Sequence, residues 1–285
     1  TPVYASDEIT RIGDQYTITV SGSGLPKDAN QIKVQIQPDT ITDNSGNTNK
    51  ATDLLVYNAL IKTTTETDAT KGFLGSASST NTKVKTIQRQ NIDNVTFVDN
   101  IPSTVYDQSA KAYVDSTAWD VSAMQDKSIL AWYTTNANGS IKGYIGSDYE
   151  IFANYNSTNL FAYVGYAENC TSIETITNLN LLNVSSVTNM YRMFRGTGYR
   201  SMEKLDLGST FDTSNVTNMT AIFELTGYTA MKTLNLGTNF NTSKVTNMSY
   251  MFNSCGYTKL ENLDLGSKFN TSNVIYMQYM FCRLG

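Results

Sequence analysis

The chain has 285 residues, of which 16% are charged, a net charge of −4 and no histidine. Its polar surface comes instead from Asn, Thr, Ser and Tyr, and no run of Lys and Arg supplies the basic footprint that nucleic acid or an anionic membrane surface requires. The missing histidine removes the commonest general base and the commonest metal ligand together, and no stretch approaches the ~18 apolar residues of a membrane span.

The first residues lack the basic region and apolar core of a signal peptide, although Val3-Tyr4-Ala5 fits the small-residue pattern that precedes a cleavage site. Such short patterns are common, and residue 1 reads first as simply the place where a processed chain begins. Residues 1–65 read as β. Tyr16, Ile18 and Val20 alternate with Thr17 and Thr19, Gly22-Ser-Gly24 breaks the pattern, and Ile32, Val34 and Ile36 alternate again. This looks like an immunoglobulin-like module, short for a full sandwich of about 100 residues. The run Asp43-Asn-Ser-Gly46-Asn47-Thr-Asn49 offers oxygen ligands for Ca²⁺ in a tight loop, but without the spaced carboxylates and closing Glu of an EF-hand it reads first as a plain turn.

Residues 66–165 are predicted to be a linker followed by a β-rich cap. The stretch 64–82 is rich in Thr, Ser and Gly. Val95, Phe97 and Ile101 then open a β-rich segment running to Tyr163, with Trp119 and Trp132 as core residues, placed to shield the first strand of the C-terminal segment. Asp115, Asp120 and Asp126 are close in sequence, but an acid/base pair requires them to converge in space, and acidic residues in loops are ordinarily solvated.

Residues 166–285 carry a repeat. Met190, Met219, Met248 and Met277 are 29 apart, and Phe194, Phe223, Phe252 and Phe281 keep step. So do Val187, Val216, Val245 and Val274; Leu205, Leu234 and Leu263; and Gly208, Gly237 and Gly266. A fixed period of this length signals stacked units. Leu260, Leu263 and Leu265 fit the L-x-x-L-x-L frame of a leucine-rich repeat. Thr246 as N-cap, Met248, Met251 and Phe252 at i, i+3, i+4, and Gly256 as C′ predict a short helix in each unit. Strand alternation sends Lys204, Asp206, Thr233, Asn235, Asn262 and Asp264 outward. These positions vary on a fixed frame, which suits a binding face and equally suits unconstrained solvent positions. Tyr191, Tyr250 and Tyr279 share the other side of the unit, as interface anchors or as packing between units. Sequons such as Asn247-Met-Ser249 read as turn or cap chemistry.

Val216-Thr-Asn-Met219 with Ile222-Phe223, Val245-Thr-Asn-Met-Ser-Tyr-Met-Phe252, and the preceding Phe211-Asp-Thr-Ser-Asn-Val216 resemble the BspA-like leucine-rich repeats of bacterial surface proteins. Thr117-Ala-Trp119-Asp-Val-Ser122 and Ile129-Leu-Ala-Trp132-Tyr133 are similar to the region that leads into such repeats. The resemblance implies a mainly β chain with short helices: an N-terminal Ig-like region, a β-rich cap and a C-terminal leucine-rich-repeat solenoid of β-turn-α units. It also implies a secreted or wall-attached location. Ile275-Tyr276 replaces the Thr-Asn of the other units, and the chain stops inside a predicted helix with no polar closing unit, which predicts a further unit beyond it.

The functional expectation is an extracellular bacterial surface protein for cell adhesion and host interaction, binding proteins of host or neighbouring cells and possible glycans. The alternatives are a spacer that self-associates and a glycan-binding module. No nucleic acid, no membrane insertion, no metal, no cofactor and no catalytic residue are expected. Three cysteines leave at least one unpaired; Cys255 and Cys282 lie near one another in the repeat register but in different columns.

Overall fold

A computed structural model of the chain describes residues 8–12, 15–19, 33–34, 55–56, 59–61, 73–74, 87–123 and 125–285. The chain divides into two compact units, Thr1–Leu55 and Val56–Gly285. In the first, strands β1 (Glu8–Ile12) and β2 (Gln15–Thr19) pair antiparallel, Ile9 opposite Ile18, and β3 is Lys33–Val34. The Asp43–Asn49 loop and most of the expected Ig-like module lie outside the described residues. The described residues of this unit form the antiparallel pair and the short strand β3.

The second unit contains, in order, β4 (Leu55–Val56, its second residue), β5 (Ala59–Leu60), β6 (Ile92–Val98), β7 (Tyr106–Asp107), β8 (Ala112–Tyr113), β9 (Trp119–Asp120), β10 (Leu130–Thr135), β11 (Ile141–Gly146), β12 (Ile151–Phe152), β13 (Ile176–Thr177), β14 (Leu182–Asn183), β15 (Lys204–Asp206), β16 (Thr233–Asn235) and β17 (Asn262–Asp264). Its largest sheet runs β13-β6-β11-β10-β9 and is mixed: β6 is parallel to both neighbours, while β10 is antiparallel to β11 and β9. Alternation along β6 drives Val95 and Phe97 into the core. Trp119 and Trp132 are buried as the sequence predicted. Beneath the sheet the buried Arg89 donates from Nη1 to the carbonyls of Asn159 (2.7 Å), Ala162 (3.1 Å) and Leu160 (3.3 Å). Backbone acceptors left by the turn at 159–162 are thereby satisfied, as burial requires.

From about residue 155 onward the chain stacks in rungs. Strands β15, β16 and β17 are parallel and in register, Leu205 beside Leu234 beside Leu263. A second column of parallel bridges links Asn156, Asn189, Asn218, Asn247 and Tyr276. Between these columns the expected helix does not form. The described residues contain no α-helix; Ser249 to Lys259 is a succession of turns. The N–H groups of Met248, Tyr250, Phe252 and Ser254 leave their own rung and donate to Tyr276, Gln278, Met280 and Cys282 in the next, each at 2.8 Å. The intervening N–H groups of Met251, Asn253 and Cys255 close turns three residues back. An α-helix directs each N–H to the carbonyl four residues earlier, and here half of them are committed elsewhere. Left-handed residues seal the difference: Arg192, Ala221, Tyr250 and Tyr279 have φ between 55° and 60°, a conformation that no helix interior tolerates. Gly256 is left-handed as predicted, at φ 54°, but it ends a turn series. The expected leucine-rich-repeat solenoid of β-turn-α units is therefore corrected: the fold is mainly β, with small mixed sheets and turns.

Met248, Met251 and Phe252 are nevertheless buried. One phenylalanine from each rung forms a continuous column, Phe161-Phe194-Phe223-Phe252-Phe281, with successive centroids 5.4 to 5.6 Å apart. Thr197 and Thr226 donate their hydroxyls to Phe161 and Phe194 carbonyls of the preceding rung, satisfying groups inside this core. The bridging asparagines act as turn caps. Asn218 Oδ1 accepts from the Thr220 N–H (3.0 Å) and hydroxyl (2.7 Å). Asn218→Ala is expected to lower unfolding stability by about 1 kcal/mol, read from the midpoint of a urea melt at unchanged slope.

The cysteines are free, and Cys170 and Cys255 are buried. Burial raises both thiols to about 12, helped at Cys170 by the Asp93 carboxylate. A thiolate-directed reagent at neutral pH is expected to label the half-buried Cys282 quickly and the other two only on unfolding, one thiol before urea and three after.

Candidate binding surface

The six outward strand positions are all exposed, while Leu205 and Leu234 between them are buried. The structure splits the six into two rows with different duties. Asp206, Asn235 and Asp264 hold the turns that follow their strands. Their Oδ1 atoms accept from the N–H groups of Gly208 (3.0 Å), Gly237 (3.0 Å) and Gly266 (2.9 Å). Asn235 also donates to Asp206 across the rungs at 3.0 Å. Lys204 Nζ lies 3.2 Å from Asp206 Oδ2. Thr233 and Asn262 have no side-chain hydrogen bond among the described residues, and with Lys204, whose ammonium is paired to Asp206, they form one exposed row.

Burial pulls the Asp206 carboxyl upward, but the Gly208 N–H, the Lys204 ammonium and the Asn235 amide outweigh it and hold the group below the ordinary range. A depressed folded pKa contributes stability that is present above the unfolded value, about 3.9 for Asp, and is lost as pH falls through the lower folded value. Asp206→Asn is expected to flatten that part of the acid limb of a stability–pH profile and leave the profile between pH 5 and 8 parallel to the wild type.

A groove adjoins this face where the large sheet meets the first full rung. Along the regular rungs the interval is 29, but Phe161 stacks on Phe194 and Tyr166 on Tyr199, intervals of 33. Ile176 is again 29 before Leu205. Four extra residues therefore lie between Tyr166 and Ile176. They are firmly held. Asp93 Oδ1 accepts from the N–H groups of Thr171 and Ser172, both at 2.7 Å, and Asn94 Nδ2 donates to the Glu174 carbonyl at 2.6 Å. Val95 N–H donates to the Thr175 carbonyl at 2.8 Å. These bonds carry β13 onto β6 and away from β15, which is tied to the bulge where the N–H groups of Glu203 (2.9 Å) and Lys204 (3.4 Å) donate to the Ile173 carbonyl and the Ser201 hydroxyl donates to the Ser172 carbonyl (3.1 Å).

The resulting slot, of about 330 Å³, is lined by Glu174, Thr177, Asn178, Lys204, Asp206 and Gly208 among others. Through Glu174 and Thr177 it continues into a depression of about 420 Å³ that reaches Asp93, Lys142 and Ile173. Through Asn180 it continues into one of about 410 Å³ with Asp99, Asp148, Tyr149 and Glu150. Six carboxylates and two lysines line this path, so it is acidic. Ile173 is 61% exposed and Tyr149 42%.

The other candidates resolve into local structure. Asp115, Asp120 and Asp126 cap turns, accepting from the N–H groups of Thr117, Ser122 with Lys127, and Ser128. Among the described residues no group of three or more Cys, Asp or Glu is placed to hold a metal ion, and no helix is long and apolar enough to cross a membrane. Tyr250 stacks on Tyr279 at 5.1 Å, and the Arg192 guanidinium lies 4.6 Å from the Tyr191 ring centroid. The repeat pattern alone does not disclose the acidic groove. Its signal in the sequence is the 33-residue spacing of Phe161 to Phe194 and Tyr166 to Tyr199.

A family model described as "Mycoplasma protein of unknown function, DUF285" matches residues 158–284, the stacked rungs and less than half of the chain. The likeness to BspA-like leucine-rich repeats is corrected by this match, since the repeat motifs fall within a different family model, and the rungs of this chain carry turns where a helix was expected. No curated protein and no solved structure matches the chain.

Proposed function

We propose that this chain is a protein-binding module without catalytic activity, and that it engages its partner through the exposed strand face of the rungs. The carrying observation is the division of labour on that face. Leu205 and Leu234 fix the frame, Asp206, Asn235 and Asp264 fix the turns, and Lys204, Thr233 and Asn262 are left exposed in one row across three in-register strands. A row whose chemistry changes from rung to rung on a rigid ladder presents a specific pattern at little entropic cost on binding. The Mycoplasma description of the matching family supports a bacterial setting, in which surfaces of host or neighbouring cells are the partners to test.

The test replaces this row alone, Lys204→Gln with Thr233→Ala and Asn262→Ala, which keeps the three turn-holding side chains and sets no like charge beside Asp206. Binding of the labelled protein to intact bacterial and host cells and to immobilised matrix proteins is measured by flow cytometry and surface plasmon resonance. At least a tenfold loss of affinity is expected in a variant that melts like the wild type. Saturable binding that is unchanged in the variant, or no saturable binding by the wild type, overturns the reading.

A further inference from the structure

We propose that the acidic groove between β13 and β15 receives an extended, lysine- or arginine-bearing peptide segment of a protein partner, an inference that rests on the protein-binding reading above.

The groove is where the rung period is broken, and the break is built. The four extra residues are fixed by hydrogen bonds that Asp93 accepts and that Asn94 and Val95 donate. The outcome of that fixing is an isoleucine held 61% exposed beside a carboxylate, Glu174, that has no partner among the described residues. At the far end of the same path Tyr149 stands 42% exposed beside Asp99, whose carboxylate is likewise without a partner among the described residues. Apolar side chains in a groove with carboxylates between them match a chain that alternates apolar and cationic residues, because side chains of an extended strand alternate in direction.

The backbone supports the same occupant. β13 ends the large sheet and β15 ends the rung sheet, so each has one edge without a neighbouring strand, and both edges line the slot. An unpaired edge is a template for an added strand, whose main-chain bonds give affinity while flanking side chains give selectivity. Charge selects the sign. Lys204 is already engaged by Asp206, which leaves Lys142 as the other ammonium group against Glu174, Asp99, Asp148 and Glu150. A neutral glycan fits less well. It brings no charge to answer these carboxylates, and in the tyrosine column Tyr166-Tyr199-Tyr228-Tyr257 the faces of Tyr199 and Tyr228 are taken by their own neighbours at 4.6 to 5.0 Å.

The experiment uses two fluorescein-labelled peptides of eight residues, one alternating Lys and Val, the other alternating Glu and Val, with fluorescence anisotropy at 0.15 M salt. The full chain is expected to bind the lysine peptide at least tenfold more tightly than the glutamate peptide. Glu174→Lys combined with Asp99→Lys is expected to abolish that preference, and Ile173→Ser to weaken the lysine peptide about fivefold. Glu261→Lys, an exposed charge change outside the groove, is the control and is expected to leave binding within twofold. Equal binding of the two peptides, no binding of either, or loss in the Glu261→Lys control as large as in the groove variant overturns the proposal. Cell or matrix binding that falls with Lys204, Thr233 and Asn262 but not with Glu174 and Asp99 overturns the groove alone and leaves the strand face standing.

Discussion

Gly237→Ala is expected to destabilise the protein by more than about 4 kcal/mol, a loss reserved for severe backbone or core conflict, whereas Gly208→Ala is expected to cost only about 1–2 kcal/mol. All three glycines of this column are left-handed, with φ of 71° at Gly208 and 73° at Gly237 and Gly266, so each substitution carries the strain of an L-residue in that region. What differs is the space. A Cβ on Gly237 falls 1.7 Å from the Gly208 carbonyl oxygen and 2.8 Å from its carbon. Those are backbone atoms of the adjacent rung, and they cannot swing aside as a flexible side chain would. A Cβ on Gly208 has nothing within 4 Å, and one on Gly266 meets the Gly237 oxygen at 3.7 Å, an ordinary contact. Urea denaturation of the three alanine variants should therefore rank Gly237 far above a similar pair. Three equal losses would show that backbone conformation alone decides the column, and that the rungs yield where Gly237 meets Gly208.

The 29-residue frame is legible because each buried column is occupied by one residue type: Leu205 and Leu234, Val216 and Val245, Met219 and Met248 are all buried. The element between the columns is not legible. Buried positions at i, i+3 and i+4 mark a helix face, yet the same spacing arises when turns alternate with outward hydrogen bonds, as at Met248, Met251 and Phe252. The residues that decide the matter are left-handed and not glycine: Arg192, Ala221, Tyr250 and Tyr279 share a conformation across three different side-chain types. What holds them is the bond from each rung to the next, such as Tyr250 N–H to the Gln278 carbonyl, and no single unit of sequence carries that information. Strand alternation places all six outward residues on the surface, as the structure does. It treats the six as equivalent, however, and so misses that Asp206, Asn235 and Asp264 are needed by their own turns. The groove escapes for a different reason. The repeat is in phase from Val187 onward, and the departure that creates the groove lies just before it, in the four residues that separate the Tyr166–Tyr199 interval from the Ile176–Leu205 interval.

Phe223→Ala is expected to cost about 3–5 kcal/mol, the range for truncating a fully buried phenylalanine, and Phe281→Ala about 1 kcal/mol or less, as for partial burial of apolar area. Both belong to one column in one register, which makes the pair a controlled comparison. Phe223 is fully buried, stacks at 5.6 Å on Phe194 to one side and Phe252 to the other, and meets Phe240 at a tilt with centroids 6.2 Å apart. Truncation there opens a cavity between two rungs that are held at fixed spacing by their backbone bonds, Phe194 N–H to Ile222 and Phe223 N–H to Met251. The lattice of main-chain bonds prevents collapse, so the cavity term is kept nearly whole. Phe281 stacks on Phe252 alone at 5.5 Å and is 46% exposed, so its loss opens little that solvent does not already reach. Phe223→Leu should fall between them, because it restores much of the volume but not the two stacked faces. Thermal and urea melts of the three variants read the order directly. If Phe223→Ala costs no more than Phe281→Ala, the rungs can close up along their axis, and the stability of the stack resides in the hydrogen-bond ladders and not in the aromatic column.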